Sequence, residues 1–88
     1  MKFWTYTLSS GSLNLNAVDG ASFVSIQCDS TSGSCSVLGG IPFKGVNATA
    51  VVLTAGQGVN IQSATPFSPL DGITITWIAG SVDILIGL

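Results

Sequence analysis

Few side chains in this sequence are equipped for covalent or proton-transfer chemistry. Two cysteines, Cys28 and Cys35, bracket the segment Asp29-Ser30-Thr31-Ser32-Gly33-Ser34, and the only ionisable charges are Lys2, Lys44, Asp19, Asp29, Asp71 and Asp83. Arginine, glutamate and histidine do not occur. General acid-base and nucleophilic catalysis draw mainly on His, Glu, Lys or Cys held by an orienting partner. With no imidazole and with carboxylates scattered along the chain, no such set can be assembled, and the chain is not expected to be an enzyme. Asp19 and Asp71 each precede a glycine, where Asp is favoured because its carboxylate bonds the turn backbone. Asp29 and Asp83 read as solvated strand or turn positions. A calcium cage needs a denser set of oxygens, and two thiols without an imidazole make a poor zinc site. No metal or cofactor is expected.

The cysteines admit two readings. Cys28 shares the phase of Val24 and Ile26, and Cys35 that of Val37. In a hairpin centred on Thr31-Ser32 they face one another, and a disulfide closing so short a loop contributes on the order of 2–3 kcal/mol. The alternative is a pair of buried free thiols packing as small hydrophobes. The spacing is not Cys-x-x-Cys, and no nearby cation lowers a thiol pKa, so a redox motif is not expected.

Aromatic side chains are the other candidates. Trp4, Tyr6, Phe67 and Trp77, together with Phe3, Phe23 and Phe43, are read as core or subunit-interface residues, each able to bury 150–250 Å², or as a platform on which a glycan stacks. Pro66-Phe67-Ser68-Pro69 has PxxP spacing but no flanking basic residue, and reads as a rigid connection. Asn47-Ala48-Thr49 fits a glycosylation sequon, a pattern short enough to arise by chance.

The elements that must position these residues are strands. Apolar and polar residues alternate in Trp4/Tyr6/Leu8, Leu13/Leu15, Val24/Ile26/Cys28, Cys35/Val37, Val51/Leu53, Val59/Ile61, Ile73/Ile75/Trp77 and Val82/Ile84/Ile86. Period 2 is the signature of half-buried strands, and glycine turns separate the runs. No stretch carries a capped 3.6-residue stripe. The sequence predicts an all-β fold, one domain over residues 1–88: a small antiparallel β-sandwich or jelly-roll-like barrel of about seven to eight short strands. The units Val51 to Ile61 and Thr76 to Ile84 share Ala-Gly followed by Val-x-Ile, read as hairpins that reuse a glycine turn.

Composition sets what partners such a domain takes. The 88 residues are 47% hydrophobic, which supports a packed core over disorder. Only 7% are charged, with a net charge of -2; a soluble monomer is usually protected by a surface about 25–35% charged. Two lysines cannot neutralise a row of phosphates, so no nucleic-acid partner is expected, and without a polybasic patch or a ~20-residue apolar run no membrane partner is expected either. Polar residues interrupt Met-Lys-Phe-Trp-Thr-Tyr-Thr-Leu, giving no apolar core of a signal peptide; the chain is expected to be a complete product. The outward positions Thr5, Thr7, Asn14, Asn16, Ser25, Gln27, Ser34, Ser36, Asn60, Gln62, Thr74 and Thr76 are hydroxyls and amides. Such groups can be buried at a partner surface with their hydrogen bonds kept. The edges lack the lysines that usually block strand pairing, so they are expected to be covered by other copies.

The start without a signal, the Ser/Thr/Gly/Asn-rich alternating strands and the closing stretch Asp71-Gly72-Ile73-Thr74-Ile75-Thr76-Trp77-Ile78-Ala79-Gly80-Ser81-Val82-Asp83-Ile84 together resemble the small β-sandwich proteins of bacteriophage virions. These are the head-decoration, auxiliary capsid and head-fibre classes. The resemblance implies a non-enzymatic capsid-decorating or fibre- or tail-associated component, a homo-oligomer with a trimer favoured, bound to other virion proteins in a virion assembled in host cytoplasm. A different class, a carbohydrate-binding module for host or surface attachment, requires one of Trp4, Tyr6, Trp77 or Phe67 exposed in a groove. A third, an accessory subunit or inhibitor of a cellular complex, requires a host protein partner.

Overall fold

All eight alternating runs form strands. The computed structural model describes residues 3–16, 20–39, 50–62, 70 and 72–87. Its strands are β1 (Phe3–Leu8), β2 (Ser12–Asn14), β3 (Phe23–Cys28), β4 (Ser34–Leu38), β5 (Val51–Leu53), β6 (Gly58–Gln62), β7 (Thr74–Ala79) and β8 (Val82–Gly87). They make two four-stranded antiparallel sheets, one ordered β1-β8-β3-β6 and the other β2-β7-β4-β5. No helix occurs among the described residues. The pairs β1·β8, β2·β7, β3·β6 and β4·β5 trace one long hairpin, and the additional pairs β3·β8 and β4·β7 roll it into two layers. That winding is a jelly roll.

Alternation makes each sheet two-faced. On the first sheet Leu8, Val82 and Cys28 lie in one inward row, with Tyr6, Ile84 and Ile26 in the next. On the second, Ile75 and Val37 share a row and Trp77 and Cys35 another. Val24, Ile26, Cys28, Cys35, Ile75, Val82 and Ile84 are buried to 2% exposure or less. Each such aliphatic side chain contributes about 1.5–3 kcal/mol through removal from water.

One expectation is corrected. The short connections at residues 9–11, 29–33, 54–57 and 80–81 do not make hairpins; each carries the chain from one sheet to the other. Among consecutive strands, only β4 and β5 pair. Periodicity reports which face of a strand is buried, and it is silent on whether the next strand lies beside it or across the core. The shared Ala-Gly units are therefore two arches of one kind, with Gly56 at φ 78° and Gly80 at φ 62°, a region that L side chains enter at a cost.

At one end of the sandwich three of these arches meet on Asp29. Its N–H donates to Ser81 O at 3.0 Å, and its carbonyl accepts from Gly33 N at 3.2 Å and Gly56 N at 3.1 Å. The contact is tight: a Cβ on Gly33 would collide with Asp29 N and stand 2.6 Å from Ser81 O. The short arches also fix the layering. β1 lies over β2, β8 over β7, β3 over β4 and β6 over β5. β1 is therefore on one flank of the slab and β5 on the other.

Candidate interaction surfaces

The outward face of the first sheet is a grid of mostly uncharged side chains with one carboxylate, Asp83. Register places Thr5, Leu85, Ser25 and Asn60 in one row and Thr7, Asp83, Gln27 and Gly58 in the next. Phe3 and Phe23 flank Gly87 in a third. The polar groups bond each other across strands: Thr7 Oγ1 donates to Asp83 Oδ1 at 3.1 Å, and Ser25 Oγ to Asn60 Oδ1 at 2.7 Å. Gln27 Nε2 donates to Gly56 O at 3.1 Å, tying the sheet to the β5–β6 arch. Thr5, Thr7, Ser25, Gln27, Asp83 and Leu85 border a shallow depression of about 310 Å³. On the second sheet Asn14 Nδ2 donates to Thr74 Oγ1 at 2.7 Å in the same manner.

The flanks differ in character from these faces. Among the described residues β1 is hydrogen-bonded only to β8, and β5 only to β4, so each is an edge. Phe3, Trp4 and Tyr6 on β1 are 61%, 53% and 52% exposed, and Val51 and Val52 on β5 are 60% and 56% exposed. Trp4 and Tyr6 share the phase of the buried Leu8, as alternation predicts, yet stand half in water. β1 has six residues whereas β2, which follows it across the arch, has three. The other two edges are polar at their exposed positions: Ser12 and Asn14 on β2, Asn60 and Gln62 on β6.

Trp77 belongs elsewhere. It is half-buried, packs against the core, and donates its indole N–H to Gly80 O at 2.7 Å. Its ring braces the β7–β8 arch. Phe67, the Pro66 to Pro69 stretch, the Asn47 to Thr49 sequon, Asp19 and Asp71 lie outside the described residues.

Cys28 and Cys35 are unbridged thiols, both buried, with Sγ atoms 3.9 Å apart. The hairpin placement is corrected: Cys28 sits in one sheet and Cys35 in the other, and they face each other through the core beneath the β3–β4 arch. Burial pushes the Cys35 thiol up to about 12, and the adjacent Cys28 adds to the effect. Asp29 moves the opposite way. The Thr31 hydroxyl, at 3.0 Å from its carboxylate, and the Thr31 backbone N–H hold it below its ordinary value. Among the described residues no cluster of three or more Cys, Asp, Glu or His forms a metal site.

Val51, Val52 and Ile78 were not singled out as site residues, but a signal for them exists, as it does for Phe3. Phe3-Trp4, Val51-Val52 and Trp77-Ile78 are adjacent apolar pairs, and in a strand one member of each pair must face away from the core. Comparison with known proteins found no matching family model, no matching curated protein and no matching solved structure.

Proposed function

We propose that this chain is a non-enzymatic structural subunit of a bacteriophage virion, one that self-associates and attaches to a capsid, fibre or tail surface. The observation that carries the reading is the pair of uncharged apolar edge strands on a slab whose faces are hydroxyl and amide. A monomer guards its edges with lysine, proline or a bulge, and β1 and β5 have no charged residue between them. A surface depleted of charge and carrying exposed aromatics has the composition of an interface core. The jelly-roll winding occurs in viral capsid and lectin domains, which supports the reading by analogy of fold alone. A trimer is the favoured closed form, and no catalytic step is assigned.

Native mass spectrometry of the purified chain tests the self-association, and co-sedimentation with virions stripped of accessory proteins tests the attachment. Oligomers together with saturable binding to the particle support the reading. A chain that stays monomeric at high concentration and leaves the particles bare overturns it.

A second reading has an observation of its own. Trp4 and Tyr6 project from the same side of an edge strand roughly 7 Å apart and half exposed, a geometry open to stacking on a sugar. Glycan-array binding lost in Trp4→Ala and Tyr6→Ala establishes a carbohydrate-binding module; silence of the wild type removes it.

A further inference from the structure

We propose that copies of this chain join head to tail, with the β1 flank of one copy seated on the β5 flank of the next. The inference deepens the self-association proposed above and rests on it. Four observations lead there. The two apolar edges belong to different sheets and lie on opposite flanks, because the short arches stack β1 over β2 and β6 over β5. The remaining edges, β2 and β6, present Ser12, Asn14, Asn60 and Gln62 and offer no comparable apolar area. Neither apolar edge carries a charge that would repel a neutral partner. The two flanks also differ in kind: β1 carries Trp4 and Tyr6 on one side and Phe3 on the other, and β5 carries the smaller Val51 and Val52, one on each side.

The partner is a second copy because each flank lacks what the other supplies. An isologous dimer uses one patch twice and leaves the second apolar edge in water, whereas a heterologous contact uses both on every subunit. Aromatic side chains expose about 150–250 Å² in full, so three half-exposed rings offer roughly 300 Å². The two valines add about 100 Å² at the usual area per side chain. Together they offer about 400 Å² of apolar area, divided between the two sides of each edge strand, in a contact whose total must reach roughly 1,200 Å² to be stable. Threonines 5 and 7 and the unpaired edge backbones supply the polar rim. The contact closes into a ring where the rotation per copy divides a full turn, and grows into a row where it does not.

The test is complementation between two flank variants, Phe3→Lys and Val52→Lys, chosen because both side chains are well exposed and their replacement leaves the core intact. Circular dichroism melts first establish that each variant folds. Each alone is expected to lose association at least 100-fold. An equimolar mixture, with one variant ¹⁵N-labelled, is expected to give a one-to-one heterodimer by native mass spectrometry, since one intact β1 flank then meets one intact β5 flank. If either variant alone assembles as the wild type does, or if the mixture stays monomeric while the wild type is oligomeric, the flank assignment is wrong although self-association stands. A monomeric wild type overturns both.

Discussion

Replacing Gly33 by alanine tests whether the arches are held as tightly as the geometry states. The added Cβ would collide with the backbone N of Asp29 and lie 2.6 Å from Ser81 O and 3.0 Å from Asp29 Cα. All three are backbone atoms, two at the start of the same arch and one on the β7–β8 arch, so no flexible side chain can swing aside. The methyl must push the β3–β4 arch away from the β7–β8 arch. That motion strains the Asp29 N–H to Ser81 O bond of 3.0 Å and the Gly33 N–H to Asp29 O bond of 3.2 Å. Overpacking costs about 1–3 kcal/mol, and each weakened hydrogen bond up to about 1 kcal/mol more. A loss of about 3 kcal/mol is expected, from a total of roughly 4–13 kcal/mol for a domain of this length. At about 4–8 °C per kcal/mol for a small domain, the midpoint falls by roughly 12–24 °C. Gly39→Ala is the matched control: a Cβ there meets nothing within 4 Å, and the change is expected to stay within about 0.5 kcal/mol. Thermal and urea denaturation at one protein concentration make the comparison, because self-association makes the midpoint concentration-dependent. Equal midpoints for the two variants would refute the account of the arches.

Three further outcomes are expected. In the folded protein a thiol-specific disulfide reagent at pH 8 should label Cys35 about 1,000-fold more slowly than a free thiol, as its pKa rises from 9.0 to about 12, and both cysteines should react on unfolding; the unfolded thiol ionises first, so stability should fall as pH rises from about 9 towards 12. Asp29 has its folded pKa lowered from 3.8 by Thr31, so its contribution is present above about pH 4 and lost as pH falls through the folded value; Asp29→Asn should flatten that acid limb in a pH series of urea melts. Association should change less than about threefold between 0.05 and 0.5 M sodium chloride and tighten in ammonium sulfate, measured by sedimentation equilibrium; steep weakening with sodium chloride would point to charge-driven contact instead.

Strand existence and strand phase were legible before any coordinates. Trp4, Tyr6 and Leu8 do share a face, as do Val24, Ile26 and Cys28, because burial on one side of a pleated strand imposes period 2. Hidden from that logic was the partner of each strand. Cys28 and Cys35 are in phase with the core whether β4 lies beside β3 or across from it, so spacing alone pointed as readily to a hairpin as to the arch that exists. The exposed flanks were partly legible. Phe3-Trp4 and Val51-Val52 break alternation and so require an apolar residue facing outward. That these pairs fall on the two edges, and on opposite flanks, follows only from the sheet orders.

The sparse charge has a further structural consequence. Both carboxylates on described residues are engaged within the fold: Asp29 receives Thr31 and Ser32 at the arches, and Asp83 receives Thr7 on the outer face. Asp29 is held at one end of the sandwich, whereas Asp83 stands on β8 directly beside the edge strand β1, whose Thr7 bonds it. β1 and β5 carry no charged side chain of their own, and contact along β1 stays inexpensive as long as the Asp83 carboxylate, one strand in, keeps its water. Desolvating buried ions is the term that most often cancels interface attraction. Here the cost of contact reduces to ordering a few rings and two short strands, and the gain is the apolar area they leave in water.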